Sequence, residues 1–279
     1  MTGNFKIKSL IIVLFIILFA CDSSGGSGDD DSGNGYTVDN PVESFTEADK
    51  PESFSIETLN FVTPWGYERT QNADRKYPIV VNGCWGEGSN FSESVRKKYP
   101  AFYLDFNNYS TESDGQILAD LIDETIKAGY RIDTNRIYLT GFSQGGSGSF
   151  KLVRGMHSKG KLFAAIIRVA GQSESILLDA AVLKTSVWYH IGLDDTTIRI
   201  DVAAETYSNI KKHSSNAGAV ETIVTDSVTG HSRTTKTLKK SGVEFFKMSE
   251  YKGLGHDPGP CYKDPYLFDW LFNQSLLCR

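Results

Sequence analysis

The chain is short of positive charge, of cysteine and of long apolar runs. Lys and Arg number 29 against 34 Asp and Glu, a formal charge of -5, so the basic footprint that a nucleic-acid partner requires is absent. The 4 cysteines and 5 histidines show no short-range ligand spacing of the zinc type, and neither a metal nor another cofactor is expected. No internal repeat is apparent. The apolar run Leu10 to Ala20 falls short of the roughly twenty residues that span a bilayer. Preceded by Lys6 and Lys8, it has the length of a signal-peptide core.

That run ends in Leu18-Phe19-Ala20-Cys21, which resembles a bacterial lipobox. The resemblance implies cleavage after residue 20 and acylation of Cys21, with plain secretion or a retained anchor as the alternative; several acyl chains hold a membrane far more firmly than one. From Asp22 to Glu52 the chain is rich in Gly, Ser and Asp, Asp29-Asp30-Asp31 included, and is expected to be a disordered tether. An acidic stretch after a lipidated cysteine resembles the surface-export signals of some didermal lipoproteins, which implies a protein anchored at the outer membrane of the cell envelope and displayed on its surface. The chain thus divides into a signal peptide (1–20), a lipidated cysteine with its linker (21–52) and one domain (53–279).

Within that domain, Gly141-Phe142-Ser143-Gln144-Gly145 follows the apolar run Arg136 to Thr140 and precedes a helix-compatible stretch from Ser147 to Met156. A strand, a sharp turn and a helix in that order form the context of a nucleophile elbow, in which glycines let the backbone turn tightly enough to expose the serine hydroxyl. Ser143 is the candidate nucleophile; a plain Gly/Ser loop is the alternative. A serine hydroxyl attacks only when a base takes its proton, and that base needs an orienting carboxylate. Both are offered downstream. Thr185 to Ile191 reads as a buried strand ending in Gly192-Leu193-Asp194-Asp195, and Val243 to Met248 as another that leads into Tyr251-Lys252-Gly253-Leu254-Gly255-His256-Asp257. Either aspartate fits as the acid. His157, His190, His213 and His231 read as structural.

Alternating strand and helix patterns argue for a mostly parallel sheet covered by helices. The apolar runs are Ile79 to Val81, Ala101 to Leu104, Arg136 to Leu139, Leu162 to Val169, Val187 to Ile191 and Val243 to Phe246. Ile117, Leu118, Leu121, Ile122 and Ile126 are spaced as one face of a helix over Ile117 to Ala128. The Thr/Ser-rich stretch from His213 to Ser241, with a turn at Thr229-Gly230, reads as a surface hairpin or helix extension, or else as a lid over the site.

The elbow, the acid loop Gly192 to Asp195, and Gly255-His256 followed by Tyr266-Leu267-Phe268-Asp269-Trp270-Leu271 together resemble secreted α/β-hydrolase esterases. That group includes feruloyl esterases, acetylxylan esterases and polyhydroxybutyrate-depolymerase-like enzymes. The resemblance implies an α/β-hydrolase fold with helices on both faces of the sheet, a Ser143, Asp195, His256 triad, and a substrate that is a short acyl or hydroxycinnamoyl ester on plant polysaccharide. A polyester, a peptide bond or loss of turnover are the alternatives. The usual His-Gly-x-Gly oxyanion motif is replaced by Asn82-Gly83-Cys84-Trp85-Gly86, so the backbone donors are expected from Gln144 and from Cys84 or Trp85. Convergence of the oxyanion and histidine loops makes Cys84 to Cys261 the expected disulfide.

Overall fold

Each of the six apolar runs lies wholly or mostly within a strand. The computed structural model describes residue 40 and residues 43–83, 91–107, 110–173 and 180–278. A hairpin of β1 (Ser53–Ile56) and β2 (Leu59–Val62) precedes β3 (Tyr77–Asn82), β4 (Phe102–Asp105), β5 (Ile132–Phe142), β6 (Ala165–Val169) and β7 (Ser186–Gly192). β8 (Val220–Val228), β9 (His231–Lys240) and β10 (Val243–Tyr251) complete one sheet in the order β1-β2-β4-β3-β5-β6-β7-β10-β9-β8. β4, β3, β5, β6, β7 and β10 run parallel, while β2 and β9 join that block antiparallel.

Every residue of β3, β6 and β7 is buried, which explains why these strands read as continuous apolar runs rather than as alternations. Along β5, Tyr138 meets Phe272 and Gln274, and Thr140 meets Tyr262. Ile137 and Leu139 point the other way and are equally buried. Both faces of the sheet are therefore covered.

The helices are α1 (Glu93–Lys98), α2 (Glu112–Lys127), α3 (Gln144–Ser158), α4 (Ala180–Leu183), α5 (Thr197–Lys212), α6 (Gly259–Tyr262) and α7 (Leu267–Phe272). α2 begins with a reciprocal cap: the Thr111 hydroxyl accepts from the Asp114 amide at 3.2 Å, and the Asp114 carboxylate accepts from the Thr111 amide at 2.8 Å. Leu118, Leu121 and Ile122 are buried, whereas Ile117, expected on the same stripe, is 47% exposed; Leu118 takes the inward position beside it. α2 and α3 cross closely because Gly115 and Gly155 meet there: a Cβ on Gly155 would lie 2.0 Å from the Glu112 carbonyl oxygen.

One of these expectations needs correction. The tether does not run to Glu52: Arg69 hydrogen-bonds Asp49 at 2.5 and 2.6 Å and Glu43 at 3.2 Å, Arg75 also pairs with Glu43, and Phe45 packs 5.9 Å from Trp65. Acidic composition suggested solvation, but these carboxylates meet arginines of the domain. Of the alternatives for 213–241, the structure has the hairpin. β8 and β9 extend the sheet beyond β10, turning at Thr229 and Gly230 with φ of 50° and 85°, the left-handed pair that a tight hairpin needs.

Candidate active site

The elbow forms because two glycines permit contacts that a side chain would block. A Cβ on Gly141 would lie 2.5 Å from the Gly145 backbone, and one on Gly146 2.4 Å from the Val169 carbonyl oxygen. Between them Ser143 adopts φ 55°, ψ -111°, a conformation that costs a non-glycine residue about 1–3 kcal/mol and survives only where the surroundings fix it. The fixing contacts are the Ser143 amide donating to Val169 O at 3.0 Å and the Ser147 amide donating to Ser143 O at 2.8 Å.

Two further loops meet the elbow at the same end of the parallel strands. His256, in the loop after β10, places Nε2 2.9 Å from Ser143 Oγ and Nδ1 2.7 Å from Asp195 Oδ2. Asp195, in the loop after β7, has a fully buried side chain, while that of His256 is 34% exposed. The other oxygen of Asp195 accepts from the Thr196 amide at 2.6 Å and from Arg199 Nη1 at 3.3 Å. One carboxylate oxygen is thus held by two donors while the other faces the imidazole. Asp194 is exposed and joins the site region only through its amide, which donates to Leu254 O at 2.9 Å.

Gly192 explains why a glycine stands three residues before this acid. A Cβ there would lie 2.2 Å from the Leu254 carbonyl oxygen and 2.4 Å from that of Gly255, so the acid loop and the histidine loop can touch only across a bare backbone. The Phe142 ring lies 4.6 Å from the His256 ring. Neither Phe142 nor Gly146 stood out in the sequence. Arg199 could have been found from its spacing of four residues after Asp195 across the start of α5.

Gln144 opens α3, so its amide belongs to the first-turn donors that a helix leaves unused. Cys84, Trp85 and Cys21 lie outside the described residues. Asn82, which stands where a histidine is usual, ends β3 and donates to Asp105 Oδ1 at 2.9 Å, tying that strand end to β4. The expected Cys84 to Cys261 disulfide is not formed: Cys261 is a buried thiol. It belongs to α6 and faces a cavity beneath the histidine loop, lined also by His190, Tyr251, Leu254 and Asp257. Cys278 is held in a disulfide.

The other histidines stand apart from this arrangement. His190 is fully buried, with Nδ1 3.0 Å from the Tyr251 hydroxyl and its ring stacked 5.0 Å from Trp188. Burial, with Arg233 and Lys247 nearby, lowers its pKa well below the ordinary value and keeps it neutral. His157 lies in the last turn of α3, His213 caps a single turn after α5, and His231 sits at the β8–β9 turn.

No family model and no curated protein matches the sequence. Solved structures do match. A thermostable esterase aligns over 81% of this chain and 62% of its own, with TM-score 0.53 and 19% identity. A protein abbreviated FAE aligns over 80% and 86%, with TM-score 0.53 and 15% identity. Acetyl xylan esterase from Aspergillus awamori aligns over 79% and 99%, with TM-score 0.51 and 13% identity. The match spans less than two thirds of the thermostable esterase and most of the other two. Strand order, the elbow after β5 and these likenesses together define the class: the chain has the α/β-hydrolase fold.

Proposed function

We propose that the protein is a serine carboxylic-ester hydrolase. The observation that carries this reading is the hydrogen-bonded line from Ser143 Oγ through His256 to Asp195, set on an elbow whose backbone is held in the left-handed region. His256 Nε2 takes the hydroxyl proton as Ser143 Oγ attacks the ester carbonyl carbon. Asp195 accepts from Nδ1–H, fixes that tautomer and offsets the charge of the imidazolium. The tetrahedral oxyanion is held by backbone amides, that of Gln144 and those expected from Cys84 or Trp85. Collapse passes the proton from Nε2 to the leaving alcohol and leaves an acyl group on Ser143. Water, deprotonated by His256, then releases the acid and restores the hydroxyl.

For the substrate we propose acetyl or hydroxycinnamoyl groups on plant polysaccharide, supported by the sequence resemblance and by the likeness to an acetyl xylan esterase. For the location we propose lipid anchoring through Cys21 at the cell envelope, supported by the lipobox-like Leu18 to Cys21. A fluorophosphonate should label wild-type protein and not Ser143→Ala. Hydrolysis of acetyl, feruloyl and hydroxybutyryl esters, compared at equal titrated sites, should favour the first two. Absence of both labelling and turnover would leave a non-catalytic binding lipoprotein. An acyl adduct on Cys21 in mass spectra of the mature N-terminus is expected; its absence would return the chain to secretion or a retained anchor.

A further inference from the structure

The β8–β9 hairpin touches the segment that carries His256 at several points. The Lys252 amide, at the start of the histidine loop, donates to Ser232 O at 2.9 Å, and the His231 ring lies 3.3 Å from Lys252 O. Arg233 stands opposite Tyr251 in the β9/β10 ladder. Its Nε and Nη2 hold both oxygens of Asp226 on β8. Its Nη1 donates to Asp264, whose other oxygen accepts the Tyr266 amide at 3.0 Å ahead of α7. Arg233, Tyr251 and Asp264 are all buried. Arg233 therefore ties both ends of residues 251–264, Tyr251 through the strand ladder and Asp264 through its guanidinium, with His256 between them. On the opposite side the acid loop holds the same segment by the Leu193 and Asp194 amides, which donate to Tyr251 O and Leu254 O, each at 2.9 Å.

We infer that the β8–β9 hairpin is a brace for the catalytic histidine, and that Arg233 is a positioning residue which sets where His256 Nε2 meets Ser143 Oγ. The inference rests on the esterase reading for its kinetic consequence but not for its geometry. Arginine is required because a planar fork with five N–H donors can serve two carboxylates at once, one of them bidentately; the compact ammonium of lysine cannot hold both in place. A role confined to neutralising Asp264 would be met by lysine.

The test compares Arg233→Lys with Leu238→Ala. Leu238 is buried on β9 and none of its hydrogen bonds reach the histidine loop, so its truncation destabilises the hairpin without touching the brace. Sites are titrated with a fluorophosphonate and turnover of p-nitrophenyl acetate is expressed per titrated site. Arg233→Lys is expected to lower kcat roughly 10- to 100-fold with KM unchanged, as small displacements of a catalytic group do. Leu238→Ala is expected to melt earlier with wild-type kcat. Wild-type kcat per site in Arg233→Lys overturns the inference. If Arg233→Lys does not fold, Asp226→Asn, which alters only the half-exposed partner, is read by the same criteria. If wild-type protein neither turns over nor labels, the esterase reading fails, and the brace is judged by proton NMR. The Nδ1 proton of His256, assigned by its loss in His256→Gln, should weaken or shift in Arg233→Lys and persist in Leu238→Ala; persistence unchanged in both overturns it.

Discussion

At the scale of single residues, the site depends on which atom each side chain offers. Ser143, His256 and Asp195 act as one proton-transfer unit in the proposed mechanism, so their losses should not add. Ser143→Ala and His256→Ala are each expected to lower kcat by several orders of magnitude, approaching the ~10⁶-fold loss typical of such units, and the double variant should lose little more. Additive losses would mean that the two residues work independently. Asp195 and Asp194 are adjacent, yet only Asp195 puts a carboxylate oxygen on the imidazole, while Asp194 is exposed. Asp195→Asn should therefore cut kcat by about 10⁴-fold by favouring the wrong tautomer, with Asp194→Asn near wild type in the same assay. The reverse ranking would move the acid by one position. The sequence left these two aspartates open because neighbours in a turn point in different directions, and only packing decides which one is buried.

At the scale of elements, the legible parts were those whose burial is uniform. β3, β6 and β7 are buried throughout, so their apolar runs announced them, and the capped stripe of α2 did likewise. β8 is exposed along nearly its whole length and carried no such signal beyond a short alternation and its turn residues. The Arg233 network joins positions 7 and 31 residues apart, a pairing that no local pattern encodes. Nor could spacing show that Gly192 serves a contact between loops 61 residues apart, the separation of Asp195 from His256. That contact makes a sharp prediction. Gly192→Ala puts a methyl group against two carbonyl oxygens, so the loops must separate while β7, buried on both sides, stays in place. The variant is expected to fold with a lower melting temperature and to lose roughly 10- to 100-fold in kcat per titrated site. Gly160→Ala has open space around it but also a positive φ of 75°, so it should cost stability alone. Equal kcat in the two variants would show that the loop contact does not set the geometry.

At the scale of the whole molecule, the interior beside the site holds a titratable group that the proposed chemistry does not use. His190 is fully buried on β7, stacked on Trp188 and joined to Tyr251, and burial with two neighbouring cations pushes its pKa well below 6.5. In the unfolded chain it titrates at its ordinary value. Below about pH 6.5 the unfolded state therefore binds a proton that the folded state refuses, and stability falls as pH falls, by at most about 1.4 kcal/mol per pH unit for one group. Above that value both states are neutral at this position and the contribution is flat. Arg233 stays charged across the whole window, so it adds no titration of its own. His190→Gln keeps a polar group near the Tyr251 hydroxyl but removes the proton site. Unfolding free energies measured by denaturant between about pH 8 and pH 5 should run parallel for wild type and variant above pH 6.5. Below it they should converge or cross, with the variant losing less. Curves that stay parallel to the acid end would show that His190 takes up its proton without unfolding, and that the buried layer beneath the histidine loop admits charge.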